Sequence, residues 1–195
     1  FVLRWGAPFT FSSRSTAMKP TAALLRAVNV GGTGKLPMAE LKAMCEACGF
    51  QKVKTYIASG NVVFLTDHSE AKVKKALEEK LEAYAGKPVG VMVRGAKELE
   101  QILEGNPFPG AAPNRTVVIF LDKRPPADAA AKATNLAGED IELGRRELYV
   151  HYCKGMADSR LKIAAAKDGT ARNINTVTKL VSLLAALTVA LIVVL

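Results

Sequence analysis

Apolar residues run almost unbroken from position 21 to 30, in the order T-A-A-L-L-R-A-V-N-V, which predicts a central strand buried on both faces. Three glycines and a lysine follow at Gly31, Gly32, Gly34 and Lys35. Beyond Pro37, the residues Met38, Leu41, Cys45 and Cys48 recur at helical spacing, and Gly49 supplies the stop. Residues 53–57 and 62–65 read as a strand and its return across the turn Ser59-Gly60-Asn61. Ser69 is placed to cap a helix over 70–84, with Val73, Leu77, Leu81 and Tyr84 as its apolar stripe and Gly86 at its end. Residues 88–94 read as a further strand. The order β-α-β-β-α-β is that of the split βαβ, or ferredoxin-like plait.

A short helix over 96–103 leads to Asn106-Pro107-Phe108-Pro109-Gly110, a cluster of helix and strand breakers that marks a link. The pattern then predicts a strand over 116–121, a helix over 127–135, and strands over 140–143 and 147–152 joined through Gly144-Arg145-Arg146. A helix carrying Leu161, Ile163 and Ala164 follows, and Asn173 starts the last helix. This half repeats the outline of the first without a visible sequence repeat. The expected fold is therefore α+β, with two ferredoxin-like (α/β-plait) subdomains over 18–105 and 106–187, the second including the C-terminal helix. Residues 1–17 read as an extension outside the core, ahead of a start at Met18, and 188–195 as an apolar tail.

Composition narrows the partners. Of 195 residues, 49% are apolar and 23% charged, an ordinary globular balance that excludes a disordered chain. The 27 Lys and Arg outnumber the 18 Asp and Glu, so the net charge of +9 favours an anionic small molecule or nucleic acid as partner. Three cysteines make no disulfide framework and fit a reducing, cytoplasmic setting. The charge-free run 180–195 is sixteen residues, short of the roughly 20 that cross a bilayer, so core packing is expected ahead of membrane contact.

The glycine turn is not a nucleotide loop. A Walker A motif needs glycine where Asn29 stands and Ser or Thr where Leu36 stands, and Pro37 occupies the third glycine of a dinucleotide fingerprint. What remains is backbone amides, a following helix N-terminus and the charge of Lys35, a generic oxyanion site, against a tight turn with Lys35 in solvent. Arg172, Asn173, Thr176 and Lys179 form the densest polar set. Two readings stand for it: an anion site at a helix N-terminus, or a cap with Arg172 bridging the halves through carbonyls. In a second tier, Arg26 is expected to pair with a carboxylate, Asn29 needs partners if buried, and Ser59 and Asn61 belong to a hairpin turn at the sheet end opposite Lys35. Cys45 and Cys48 lie late in their helix, where the dipole opposes a thiolate, and are expected in the core. His68, His151 and Cys153 have no paired spacing, so no metal is expected, and no cofactor or catalytic residue is indicated.

Four stretches together resemble one family: L-L-R-A-V-N-V-G-G at 24–32, T-Y-I-A-S-G-N-V-V-F at 55–64, T-V-V-I-F-L at 116–121 and R-N-I-N-T-V-T-K-L at 172–180. They are similar to the bacterial family catalogued as domain of unknown function sixteen-ninety-seven, over 18 to about 187. The resemblance implies two α/β-plait subdomains and no activity. Ala27 stands where members usually carry glycine, and Ile174 where they carry tryptophan, which removes an aromatic available for stacking. The expected function is non-catalytic binding of a nucleotide or a nucleic-acid backbone through Gly31, Gly32, Gly34, Lys35, Arg172, Asn173, Thr176 and Lys179. The alternatives are an enzyme acting on a small phosphorylated or carboxylated metabolite between the halves, with Ser59 or His151 moving a proton, and a membrane-tethered interaction protein.

Overall fold

The structure is a computed structural model and describes residues 17–29 and 35–192. The first half runs β1 (Lys19–Leu25), α1 (Met38–Ala47), β2 (Gln51–Tyr56), β3 (Asn61–Thr66), α2 (Glu70–Ala85) and β4 (Val91–Gly95). Its strands form one sheet in the order β2-β3-β1-β4, with every neighbouring pair antiparallel. Alternate residues of the apolar runs serve two cores. Ala23, Leu25, Val62, Phe64, Val91 and Val93 pack under α1 and α2, against Leu41, Cys45, Val73, Leu77 and Leu81. Ala22, Leu24, Val63, Leu65 and Met92 face the opposite layer. A strand covered on both sides has no polar face, which is why this one reads as a continuous apolar run. It stops at Leu25, five residues earlier than the pattern suggests, because Ala27 and Asn29 take left-handed φ values of 49° and 56°. Ser69 caps α2 by accepting from Lys72 N, and Gly86 closes it at φ 67°.

After α3 (Ala96–Glu104), a second antiparallel sheet comprises β5 (Thr116–Phe120), β6 (Glu139–Leu143), β7 (Glu147–Tyr152) and β8 (Thr170–Asn173), in the order β6-β7-β5-β8. The two sheets share an arrangement, but the second lacks the helices expected within it. Residues 127–135 form turns: their apolar residues are alanines, of which only Ala129 is buried, too little for so short a helix to offset its nucleation cost. The segment around Ile163 is likewise extended, with a single 3-10 turn at Ala164–Ala166 and an isolated bridge between Thr134 and Lys162. The strand β8, T-A-R-N, carries no apolar alternation and is visible only through its pairing with β5.

The last helix, α4 (Ile174–Ile192), is shared by both halves. Asn173 Oδ1 accepts from Thr176 N at 2.9 Å, the cap expected of it. Val177, Leu180, Leu184 and Leu187 then pack with Ala22, Leu24, Val63 and Leu65 of the first sheet and with Val118, Phe120 and Tyr149 of the second. Ile174 is itself 8% exposed in this cluster, so the position at which the resemblance leads one to expect a stacking tryptophan is a core position here. By length and a mean hydropathy of 1.7, α4 is long and apolar enough to cross a membrane; 33% of its most apolar stretch is buried, while Val189 and Ile192 are exposed.

Candidate functional site

Of the residues singled out in the sequence, Arg26, Asn29, Ser59, Asn61 and Arg172 gather at the end of the first sheet where β1 stops. Antiparallel pairing sets Leu24 opposite Asn61, and Leu25 N donates to Gly60 O at 2.8 Å. The hairpin between β2 and β3 therefore lies at the same end as the connection after β1, not at the opposite end as expected: the crossover through α1 makes β2 parallel to β1, so both strands finish together. Asn29 is the clasp. Its Oδ1 accepts from Leu36 N at 2.7 Å, and its Nδ2 donates to Leu36 O at 2.9 Å and Ala58 O at 2.7 Å. It ties both flanks of the glycine turn to the hairpin, which is a structural use. Gly31, Gly32 and Gly34 lie outside the described residues; Lys35 is exposed.

Arg172 resolves into the bridging alternative. It sits in β8, only 7% exposed, and reaches from the second half into the first. Its Nε donates to Asn61 Oδ1, Nη1 to Thr170 Oγ1 at 2.8 Å and Ala171 O at 2.7 Å, and Nη2 to Leu25 O at 2.8 Å and Ser59 O at 2.9 Å. All five N–H groups are engaged, leaving none directed at an outside ligand. Burial pushes the guanidinium down to about 10. Asn61, fully buried, also donates to Tyr56 O and Ser59 Oγ at 3.0 Å each. The expected face of Arg172, Thr176 and Lys179 does not form, since Arg172 belongs to a strand, Thr176 is buried and Lys179 is exposed on α4. Arg26 does find its carboxylate: Nη1 lies 3.5 Å from Asp168, and Nη2 donates to Lys167 O at 2.6 Å.

Between α2 and the segment Lys35-Leu36 that leads into α1 is a pocket of about 400 Å³. Leu36, Leu81 and Val89 make its floor, Tyr84 one wall, and Lys35 and Lys87 its cationic lining. No acidic side chain lines it, and neither lysine forms an ion pair among the described residues. Tyr84 is 47% exposed, and its hydroxyl donates to Lys35 O at 3.5 Å. Lys87 escapes a sequence reading because a lone lysine after a helix-ending glycine belongs to no pattern. The three cysteines are free, and Cys45 is packed in the core with its thiol pushed up to about 12, first by burial and then by Cys48.

A larger cavity of about 660 Å³ lies at the seam between the halves, and its lining mixes Arg124, Arg145 and Arg146 with Glu98 and Glu147. Arg146 is already committed to Glu70 and Glu98, at 2.7 and 2.8 Å, and hydrogen bonding to Glu70 raises its pKa further. Glu147 accepts from the backbone N–H of Arg145 and Arg146 at 2.9 Å each. Arg94, with 0% exposure, crosses the same seam, donating to Leu121 O at 2.6 Å and Arg146 O at 3.0 Å. Neither Ser59 nor His151 lines this cavity, and β5 separates His151 on β7 from Arg172 on β8. Of the set expected of an enzyme, Arg172 and Ser59 do meet, through Nη2 and the Ser59 carbonyl, but away from this cavity, and His151 does not join them.

Comparison with known proteins agrees with this architecture. The family model described as protein of unknown function (DUF1697) matches residues 18–149. A solved structure, that of conserved bacterial protein SP0830 from Streptococcus pneumoniae, is similar with a TM-score of 0.72 and 26% identity, covering 86% of this chain and 99% of that one. No curated protein matches.

Proposed function

We propose that this chain, which belongs to the DUF1697 family of proteins of unknown function, is a non-catalytic binding protein for a small anionic ligand with a flat apolar body, of the nucleotide class. The observation that carries this reading is the pocket of about 400 Å³ in which Lys35 and Lys87 stand over an apolar floor with no acid opposite them. Its volume is in the range of small-molecule sites. The lysines favour a phosphate, and the exposed ring of Tyr84 suits a base. Two further readings go with it. The first half is a ferredoxin-like plait, and the second is the same plait stripped of its flanking helices. The free thiols support a reducing compartment, the cytoplasm.

A thermal-shift screen of nucleoside phosphates, sugar phosphates and short oligonucleotides tests the binding. A ligand at one hundred times its Kd adds about 2.7 kcal/mol, or roughly 5–11 °C in a chain of this size. Lys35→Glu and Lys87→Glu should each abolish the shift, and a shift that survives both refutes the site. Affinity that collapses between low and moderate salt identifies a nucleic-acid backbone rather than a single nucleotide. The seam cavity is the competing location for a small carboxylated or phosphorylated metabolite, with exposed Arg124 and Arg145 in its favour. Arg145→Glu would then be the variant that removes the shift.

A further inference from the structure

The pairing of β6 with β7 brings together three side chains that are far apart in type and partly in sequence. Asp140 stands directly across from His151, and Cys153 follows His151 by two residues, which puts all three on one side of the sheet. A carboxylate oxygen of Asp140, a ring nitrogen of His151 and Cys153 Sγ all lie within 4.8 Å of one another. The thiol donates to Asp140 Oδ2 at 3.6 Å. Two neighbours hold the group in place. The His151 ring packs against Phe108 with centroids 5.8 Å apart, and Arg115 Nη1 donates to Cys153 O at 3.2 Å, pinning the backbone beyond β7.

We propose that Asp140, His151 and Cys153 form a three-residue binding site for a divalent transition metal, Zn²⁺ by the character of its donors, at the outer edge of the second sheet. Thiolate sulfur and imidazole nitrogen suit zinc and discriminate against magnesium and calcium, which take oxygen ligands. The thiolate and the carboxylate together neutralise the ion. Around a tetrahedral zinc, bond lengths of about 2.0–2.3 Å set donor separations at roughly 3.3–3.6 Å. The observed spread needs to close by about an ångström, within reach of side-chain rotation at Asp140 and Cys153, which are both exposed. Binding breaks the Cys153 S–H bond, forms the metal–sulfur bond and releases the proton to solvent. With three protein ligands and an exposed setting, the fourth position is left to water, the pattern of an open rather than a closed zinc site. No sequence spacing announces this set, because Asp140 arrives from the neighbouring strand. It is independent of the lysine pocket, which belongs to the other sheet.

Titrating the reduced chain with Co²⁺, and then with Zn²⁺ against a chromophoric chelator, tests the assignment. The expected result is one ion per chain and a thiolate-to-cobalt charge-transfer band. Cys153→Ser should eliminate the band, and Asp140→Asn and His151→Gln should each weaken Zn²⁺ at least about 10-fold, since even outer-sphere partners of a metal cost that much. Cys48→Ser, removing the other thiol that is not fully buried, should leave both readouts unchanged. Absence of a one-to-one complex in the unaltered chain, or a band and stoichiometry that persist in Cys153→Ser, would overturn the proposal. Circular dichroism of each variant separates loss of the site from loss of the fold.

Discussion

Replacing Arg172 with methionine keeps the alkyl stem and removes five N–H donors at once. Leu25 O keeps a donor in Thr170 Oγ1, at 3.0 Å, and Gly60 O keeps Leu25 N, at 2.8 Å. Ser59 O, Asn61 Oδ1 and Ala171 O each lose the guanidinium. At about 2 kcal/mol for each acceptor left without its donor, the loss is about 6 kcal/mol. Against it stands the relief of no longer burying a charge. Burial alone lowers the guanidinium pKa from its ordinary value to about 10, which puts that relief at roughly 3 kcal/mol. The expected net destabilisation is about 3 kcal/mol, or roughly 6–12 °C in melting temperature. Urea titration followed by far-UV circular dichroism reads it directly, and Arg172→Lys is the companion variant. Lysine retains the buried charge with three donors in place of five, so it should be no more stable than methionine. A loss below about 0.5 kcal/mol in Arg172→Met, the level of an ordinary surface change, would refute the view that this side chain ties the halves.

Ala27→Gly should stabilise the fold by roughly 0.5–1 kcal/mol. It relieves a left-handed residue at φ 49°, and the gain is partly offset by a more flexible unfolded chain; an unchanged urea midpoint would count against strain there. Gly60→Ala and Gly49→Ala make a matched pair, since both positions have left-handed φ, 77° and 82°. An added Cβ meets Leu25 Cβ at 2.8 Å and also strikes Val28 in the first, but finds nothing within 4 Å in the second. The expected costs are about 3 kcal/mol and about 1 kcal/mol, and equal costs in denaturant melts would mean the hairpin does not press on β1. Cys45, raised to about 12 in the fold against 9.0 unfolded, stays protonated where the unfolded thiol ionises. Stability is therefore full below pH 9 and falls between pH 9 and about 12, by up to roughly 1.4 kcal/mol per unit. Cys45→Ala should flatten that slope, and an identical pH profile in the variant would exclude the thiol as its source.

What could be read along the chain was whatever leaves a period. Helices α1, α2 and α3 and strands β1 to β4 each carry a stripe, an alternation or a two-sided apolar run, and all were legible to within a few residues except the end of β1, which the left-handed residues Ala27 and Asn29 bring forward by five. The second half is harder for a physical reason. The alanines of 127–135 match a helix by propensity but bury too little to hold one, and β8 exists because β5 offers it an edge. The site was legible in its chemistry and not in its geometry. That Arg172 was either an anion ligand or a bridge could be stated from residue types. The choice between them came from the shared end of β1 and β2, which put Asn61, Ser59 and Leu25 around one guanidinium. Lys87, and the meeting of Asp140 with His151, depend on tertiary pairing and left no local signal.

One feature of the architecture bears on how the molecule is made. The helix that completes the apolar layer under both sheets is the last of the described elements, Ile174–Ile192. Until it leaves the ribosome, Ala22, Leu24, Val63 and Leu65 on one sheet and Val118, Phe120 and Tyr149 on the other have no cover from α4. Domains ordinarily fold as they emerge, the N-terminal one first. Here the first sheet can pair its strands early and α3 brings Leu99 and Ile102 onto its second face, yet the rest of that face stays open until residues 174–192 emerge. Neither half can reach its final stability alone, and both should gain it in one cooperative step once α4 has emerged. A nascent chain stalled before α4 should then be a strong client for holdase chaperones, and one released with α4 intact should not.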